Sequence, residues 1–393
     1  MEQNYYIGRA TEADYDELMF VMNDAFGFDT DGKGGFIHIL PKLYKKEYAP
    51  WSNNIIARVE GKIKAAIGLY YNELCVGAKT LKIGGIGNVA VDKNSRGGGY
   101  MKSTMAASLA DMKKEKADLS FLGGRRQRYM YFSYDKGGLT YTFTINETSL
   151  RHTLSSAESN LRAIPIEAND TEALEEIFAL YTKQNCAMKR EKNALFDTLK
   201  SWKALPYKVC EDGKFAGYFV INDSKNYVYE MYAKDAKNYK QIAALALAES
   251  NKGEHSEEKG IGLTVPHFRR DLANALLEIC ESYELNHSEH FSILNYKNVI
   301  EAFLTLKAEY TNLPDGVFTM LIHGEAGDEN LKISVSGSKI GVAPTDEKAE
   351  IELSHLEAVR FISSMFSERR DEIPAHAAAW FPLPLYISGV DGV

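Results

Sequence analysis

The junction between an apolar strand and a helix near residue 90 constrains the fold of this chain more than any other stretch. Residues 89–101 read VAVDKNSRGGGYM, so an alternating strand pattern passes through Arg96 and three glycines directly into helical sequence. Backbone N–H groups left free at a helix start, together with the helix dipole, can hold an anionic pyrophosphate. Glycine at 97, 98 and 99 permits unusual dihedral angles and a close approach of phosphate oxygens. The junction predicts an α/β unit with an anion site, and a plain flexible turn is the alternative.

The order of elements around this junction recurs later in the chain, which predicts a duplicated α/β unit. The turn glycines Gly61 and Gly213 lie 152 residues apart, and each follows an acidic residue between two apolar runs. In the first copy we predict a strand at 5–9, a helix that starts after 11, a hairpin at 55–71, a third strand at 86–91 and a helix from 100. In the second copy the corresponding elements are a strand at 163–167, a helix at 171–182, a hairpin at 208–221, a third strand at 227–232 and a helix at 241–249. No glycine-rich turn follows the third strand of the second copy, so we expect its site to be lost.

The pattern changes to an α+β type from about residue 290. We predict helices at 298–306 and 355–366, strands at 317–323, 331–335 and 340–342, and an apolar, proline-containing tail from Trp380 to the terminus. The predicted division is residues 1–155 for a catalytic unit, 156–288 for a degenerate second unit, and 289–393 for the C-terminal unit.

Composition narrows the class of protein. The 393 residues are 45% hydrophobic and carry a formal net charge of −8, which excludes a disordered, collagen-like or disulfide-scaffold chain and disfavours nucleic acid as a partner. The start has no signal-peptide pattern, and the longest charge-free apolar run, 377–387, is too short to span a bilayer. The four cysteines are dispersed. We therefore expect a cytoplasmic protein with reduced thiols and no membrane span.

A second informative stretch lies at residues 123–134, GGRRQRYMYFSY, where aromatic residues follow a basic cluster.

Other kinds of site, which would compete with the glycine-rich junction as the functional site, have less support. His287 and His290 could share a helix face, but no carboxylate or cysteine set completes a metal shell, so we predict no metal. No G-x-S-x-G nucleophile elbow occurs. Three aspartates near Phe26 and Phe28 fit either a polycationic amine or a solvated acidic loop: Asp24, Asp29 and Asp31.

The pattern V-x-V-x-x-x-x-R-x-x-G at 89–99 resembles the acetyl-CoA motif of the GNAT superfamily of N-acetyltransferases. Neither the dinucleotide fingerprint G-x-G-x-x-G nor the P-loop is present. The Tyr-x-x-Phe-x-Tyr spacing that ends at Tyr134 resembles the segment where this superfamily places a general-acid tyrosine.

The whole architecture, two acetyltransferase-like units and a sterol-carrier-like unit, resembles the enhanced intracellular survival (Eis) family. That resemblance implies that Tyr134 protonates the leaving thiolate and that the terminal carboxylate of Val393 is the base. It also implies a cofactor-binding set: Val89, Ala90, Val91, Arg96, Gly97, Gly98, Gly99, Tyr100, Met101, Lys102, Tyr129 and Met130. The chain departs from the family in Ser133, where glycine is usual, and in its terminal valine, where an aromatic residue is common.

Two classes of function follow. The first is an N-acetyltransferase that uses acetyl-CoA as co-substrate and acts on amines, with aminoglycosides as the class that the family implies and protein lysine as another acceptor. The second is a carrier protein that holds an apolar ligand in the C-terminal unit. The intact motif at Arg96–Gly99 together with Tyr134 favours the enzyme. The family also implies a homo-hexamer.

Overall fold

The computed structural model describes residues 5–29, 34–154, 160–251 and 260–393. Their strands are β1 Tyr5–Arg9, β2 Asn54–Val59, β3 Lys62–Val76, β4 Lys79–Val91, β5 Leu119–Leu122, β6 Asp135–Gly137, β7 Thr140–Ile145, β8 Leu161–Pro165, β9 Cys186–Met188, β10 Leu205–Glu211, β11 Lys214–Ile221, β12 Tyr227–Ala233, β13 Ile261–Pro266, β14 Ser282–Asn286, β15 Glu289–Ile293, β16 Gly316–Gly324, β17 Gly327–Ser336, β18 Lys339–Pro344 and β19 Ile351–Ser354.

The α-helices in these ranges are α1 Tyr15–Phe26, α2 Phe36–Ile39, α3 Pro41–Tyr44, α4 Tyr100–Lys114, α5 Arg126–Met130, α6 Glu147–Thr153, α7 Thr171–Tyr181, α8 Leu195–Leu199, α9 Tyr239–Asn251, α10 Arg270–Leu277, α11 Tyr296–Tyr310, α12 His355–Ser363 and α13 Ala375–Trp380. Within the described ranges, no helix combines the length and the apolar character needed to cross a bilayer.

The first sheet has the order β1-β2-β3-β4-β5-β15-β6, with β9 paired to β3. Its β2–β3 hairpin turns at Glu60 and Gly61, which both have positive φ, 51° and 78°, as a tight hairpin turn requires. Strands β4 and β5 run parallel. Helix α1 packs on one face of the sheet and α4 on the other. The predicted strand–helix–hairpin–strand–helix order is confirmed in this unit.

The second sheet repeats the design of the first. Its order is β14-β7-β13-β12-β11-β10-β8, and β12 and β13 are again the parallel pair. Helices α7 and α9 occupy the positions of α1 and α4 in the order of elements. The predicted duplication is therefore confirmed at the level of secondary structure.

The two sheets exchange strands. Strand β7, which follows the first unit's β6, pairs with β13 and β14 of the second sheet. Strand β15, which follows the second unit, pairs with β5 and β6 of the first. The predicted limits at 155/156 and 288/289 remain a prediction about domains. Strand pairing connects residues on the two sides of each limit, so neither sheet is complete without residues from beyond its limit.

The third region is a four-stranded sheet of order β18-β17-β16-β19, packed with α11 and α12 around a continuous apolar core. The predicted helix 298–306 lies inside α11, and the predicted strands correspond to β16, β17 and β18. The second predicted helix ends earlier, at Ser363, and the sequence analysis missed β19 and α13. The tail from Trp380 to Val393 leaves this region and returns to the first two units.

Candidate functional site

The site begins where β4 separates from β5. Their parallel pairing stops at Ile86 opposite Leu122, although β4 continues to Val91. Just beyond this point β4 contains a bulge at Asn88, whose φ is +40°. A bulge bends a strand away from its neighbour. In the described sheet pairings, the β5-side backbone edge of β4 from Gly87 to Val91 has no ladder partner, so its N–H and C=O groups can bind a ligand.

A buried polar network fixes the bulge. The Tyr44 hydroxyl donates to Asn88 Oδ1. Asn88 Nδ2 donates to Asn54 Oδ1 at 3.0 Å and lies 2.8 Å from Met22 Sδ. Because Asn88 is buried, loss of these partners would leave its amide unsatisfied, at a cost of about 1–3 kcal/mol.

A cavity of about 620 Å³ lies between β4 and the start of α4, and we call it the donor cavity. Gly97 and Gly99 both have left-handed backbones, with φ of 85° and 81°. A Cβ built on either glycine meets no atom within 4 Å, so the conformation, and not crowding, requires glycine there. The lining is Ala25, Phe26, Val89, Val91, Ser95, Arg96, Gly97, Gly99, Tyr100, Met101, Lys102 and Arg128.

Most of the predicted cofactor residues meet at this cavity. Val89 and Val91 face it, as do Arg96, Gly97 and Gly99 to Lys102. Ala90 points to the opposite face of the sheet and packs in the core against α1, as strand alternation requires. Gly98 and Met130 are not among the lining residues. Tyr129 lines the neighbouring cavity instead.

The neighbouring cavity, which we call the acceptor cavity, has a volume of about 480 Å³. It shares Phe26, Val89 and Arg128 with the donor cavity, so the two form one continuous cleft. Phe26, Phe28 and Phe36 form an aromatic wall with ring centroids 5.0 to 6.0 Å apart.

The C-terminus of the chain lies in the acceptor cavity. A Cβ built on Gly87 would lie 2.7 Å from the carboxyl carbon of Val393, and one on Gly85 would lie 2.8 Å from Val393 Cγ2. These two glycines of β4 therefore leave the space that the terminal residue fills. The terminal carboxylate lies against β4 directly before the bulge, next to the opening of the donor cavity.

Tyr134 lies deeper than the sequence analysis expects of a general acid. Its side chain is fully buried, and its hydroxyl lies 2.6 Å from Ser120 Oγ, which itself donates to the Gly84 carbonyl at 2.7 Å. The Tyr134 hydroxyl therefore donates to Ser120. It is not among the residues that line the two cavities, whereas Tyr129 lines the acceptor cavity. Burial raises the pKa of both tyrosines.

The turn that presents Tyr134 explains why Ser133 is unusual. Ser133 has a φ of +59°, and the Tyr134 N–H donates to the Tyr129 carbonyl at 3.2 Å. This left-handed end of α5 is a position that favours glycine. The serine keeps the turn, at a backbone cost that a glycine would not incur.

The residues of the acceptor cavity that the sequence analysis missed include Trp202 and Tyr229 from the second unit, and Glu289 at the start of β15. Trp202 has a left-handed φ of 60°. Glu289 also lines an adjoining polar cavity of about 500 Å³. Burial raises the pKa of Glu289 to about 7, because the His290 backbone N–H and the Lys136 charge offset burial only in part. Local sequence carries no signal for any of the three.

The rival residues lie elsewhere. Asp24 forms an ion pair with Lys93 at 2.7 Å, Asp29 is exposed, and Asp31 lies outside the described residues. His290 lies on β15 and His287 in the preceding loop, so the expected helix face is wrong. Burial lowers the pKa of both histidines. Among described residues, no three metal-ligating side chains come together.

Comparison with known proteins assigns the class. Residues 7–137 match the family model described as the acetyltransferase (GNAT) domain. The chain is therefore an acyltransferase, and this domain implies the use of acetyl-CoA. No curated protein sequence matches the chain significantly.

Solved structures of acetyltransferases share the fold over nearly the whole chain. A GCN5-related N-acetyltransferase from Anabaena variabilis has a TM-score of 0.69 at 12% identity, covering 99% of this chain and 100% of its own. A probable N-acyltransferase from Enterococcus faecalis has 0.65 at 15%, covering 90% and 88%. Eis1 from Mycobacterium abscessus has 0.62 at 14%, covering 98% and 99%. At these identities the likeness extends to the fold alone.

Proposed function

We propose that the protein transfers an acetyl group from acetyl-CoA to an amine of a small polycationic acceptor, as an Eis-like enzyme. The observation that carries this proposal is the position of the terminal carboxylate of Val393, inside an aromatic cavity that opens into the donor cavity. Aminoglycosides are the acceptor class that the resemblance to the Eis family implies.

The donor cavity fits acetyl-CoA, which supplies the acetyl group as a thioester. The free edge of β4 can pair with the amides of an extended pantetheine arm. The start of α4, capped by Gly99, offers backbone N–H groups and the positive end of a helix dipole to the pyrophosphate. Arg96, Lys102 and Arg128 line the same cavity and add positive charge.

The acceptor cavity fits a cationic amine. Its aromatic wall presents ring faces that attract ammonium groups. The carboxylates of Val393 and Glu289 supply negative charge, and Glu289 borders the second, polar cavity, where a further ammonium or hydroxyl groups of the acceptor can bind. This arrangement favours an acceptor with more than one amine.

The ammonium group must lose a proton before it can attack the thioester. In our proposal the Val393 carboxylate accepts that proton, directly or through one water. The thiolate that leaves must then gain a proton from a general acid, and the second proton, which the nitrogen loses when the amide forms, restores that acid. Tyr134 remains our candidate acid. Tyr129 is the second candidate, because it lines the acceptor cavity while the Tyr134 hydroxyl is engaged with Ser120.

The alternative functions have weaker support. For a carrier of apolar ligands, the C-terminal unit would need internal space, yet the side chains between its sheet and helices form a continuous cluster of buried apolar residues. For a protein-lysine acetyltransferase, the acceptor site would need to admit a polypeptide, yet residues from all three units wall the cavity. A cytoplasmic hexamer stays a prediction from the sequence.

Thiol release from acetyl-CoA, measured across aminoglycosides, polyamines and lysine peptides, tests the proposed function. We expect release with aminoglycosides or polyamines and little with the peptides. One residue added after Val393 moves the carboxylate by about 3.5 Å and should abolish turnover. A tag at the N-terminus is the control and should leave turnover unchanged. An inactive panel would favour the carrier function, and full turnover in the extended protein would rule out Val393 as the base.

A further inference from the structure

A buried ionic cluster anchors the tail two residues before the terminal carboxylate. Arg190 bonds Asp391 through Nε to Oδ1 and Nη2 to Oδ2, both at 2.8 Å. The same guanidinium bonds both carboxylate oxygens of Glu230, at 2.9 and 2.7 Å. The three side chains are 1 to 3% exposed. Arginine is the side chain suited to holding two carboxylates in fixed geometry.

Further hydrogen bonds to Asp391 and Glu230 hold the tail in one position. The Tyr181 hydroxyl donates to Asp391 Oδ2 at 3.0 Å, and its ring lies 3.5 Å from the Arg190 guanidinium carbon. Glu230 accepts further bonds from the Tyr218 hydroxyl at 3.0 Å and from Ser388 Oγ at 2.8 Å.

All three units meet at this cluster. Lys42, from the first unit, donates to the Val390 carbonyl at 2.5 Å. Arg190 and Glu230 come from the second unit, and Asp391 from the tail. Arg190 and Glu230 therefore lie outside the unit that carries the donor cavity.

The second unit holds the tail at the place that corresponds to the first unit's site. Strand β12 is the counterpart of β4, and it too contains a bulge, at Tyr229. A Cβ on Gly389 would lie 2.8 Å from the Tyr229 ring. Glu230 follows the bulge directly. The tail therefore crosses the bulged strand of the second unit and then reaches that of the first.

We propose that Arg190, with Glu230, is a positioning residue that holds Asp391 and so fixes the terminal carboxylate of Val393 in the acceptor cavity. This role rests on the proposed function of Val393 as the base. It gives the second unit, which lacks the glycine-rich loop, a part in the reaction: it is the anchor of the base. A carboxylate displaced by about 1 Å costs about 10²-fold in rate.

The test compares Asp391→Asn with Asp170→Asn. Asp170 also forms an ion pair in the second unit, with Lys208 at 2.6 Å, far from the tail in sequence. We expect Asp391→Asn to lower kcat about 10²-fold with the KM for acetyl-CoA unchanged, and Asp170→Asn to leave kcat unchanged. If Asp391→Asn does not fold, the triple variant Arg190→Met, Glu230→Gln, Asp391→Asn removes the cluster without leaving an unpaired charge.

The basicity of the acceptor amine distinguishes the positioning role of the cluster from a purely structural one. An amine that is already neutral at the assay pH needs no base to become a nucleophile, so the loss in kcat should shrink for weakly basic acceptors if the carboxylate is misplaced. A loss that is equal for all acceptors, or wild-type kcat in folded Asp391→Asn, would overturn the positioning role. Full turnover after extension beyond Val393 would instead overturn the base itself, and the role of the cluster with it.

Discussion

Replacing Gly99 by aspartate tests the donor cavity with a closely matched control. Gly99 has φ of 81° and Gly213, in the hairpin turn of the second unit, has φ of 80°. A Cβ on either residue meets no atom within 4 Å. Aspartate should therefore incur the same backbone cost at both positions, about 1–2 kcal/mol. The backbone part of the loss in thermal stability should therefore be similar, and at Gly99 the favourable interaction of the carboxylate with the start of α4 should offset some of it.

They should differ in the binding of acetyl-CoA. At Gly99 the new carboxylate enters the donor cavity at the start of α4. At a separation of about 5 Å and an effective dielectric constant of about 20, repulsion from one pyrophosphate charge is about 3 kcal/mol. That corresponds to about 10²-fold weaker binding. At Gly213 no such repulsion arises, and affinity should stay at the wild-type value.

Calorimetric titration with acetyl-CoA measures the affinity, and thermal unfolding measures the stability. Gly99→Asn adds the same backbone cost and nearly the same volume without charge, so it should weaken binding far less than Gly99→Asp. Equal acetyl-CoA affinity in Gly99→Asp, Gly213→Asp and the wild type would refute the assignment of this cavity to the donor.

Tyr134→Phe should lower kcat by about 10²- to 10⁴-fold with little change in acetyl-CoA binding if its hydroxyl is the acid; wild-type turnover there, with the loss in Tyr129→Phe instead, would move the role to Tyr129. Ser133→Gly should stabilise the protein by about 0.5–1 kcal/mol, because relief of the left-handed backbone outweighs the added entropy of unfolded glycine. Lys116 is exposed and has a φ of 55°, so Lys116→Gly should give a similar gain in denaturant unfolding. A destabilised Ser133→Gly would contradict this account. Because the pKa of Glu289 is raised to about 7, its charge appears as pH rises through that value, which costs folding stability but strengthens the binding of a cationic acceptor. In Glu289→Gln both trends should disappear in unfolding and binding measured from pH 5 to 8, and persistence of the binding trend would exclude Glu289 as an acceptor ligand.

The local features of the donor cavity could be predicted from the sequence. The alternation of Val89 and Val91, the glycines at 97 and 99 and the helix from Tyr100 are properties of neighbouring residues, so short-range conformational preferences determine them. The duplicated order of elements could be predicted for the same reason. The position of Tyr134 relative to the cleft could not, because it depends on a tertiary hydrogen bond to Ser120 in strand β5.

The acceptor cavity could be predicted only in part. The bulge at Asn88 depends on partners from three distant segments, Met22, Tyr44 and Asn54. Glu289 reaches the cavity only because β15 joins the first sheet, an exchange that no periodicity in the sequence indicates. Hydrophobic patterns report which face of a strand is buried, but they do not report which sheet the strand joins.

In our proposal, the second unit binds the chain's own tail at the place where the first unit binds a ligand. Where the first unit has free backbone N–H groups after β4, the second has Asp235, whose carboxylate accepts the Lys237 N–H at 3.0 Å and pairs with the Lys237 ammonium at 3.1 Å. An anion site so occupied by an aspartate repels phosphate. The bulged strand β12 remains, and it contacts the tail. Loss of the loop and retention of the bulge are both consistent with a role of the second unit as the anchor of the tail. Strands β7 and β15 join the two sheets, so the anchor and the donor cavity keep a fixed relation. A terminus held on the second unit can therefore act in the first.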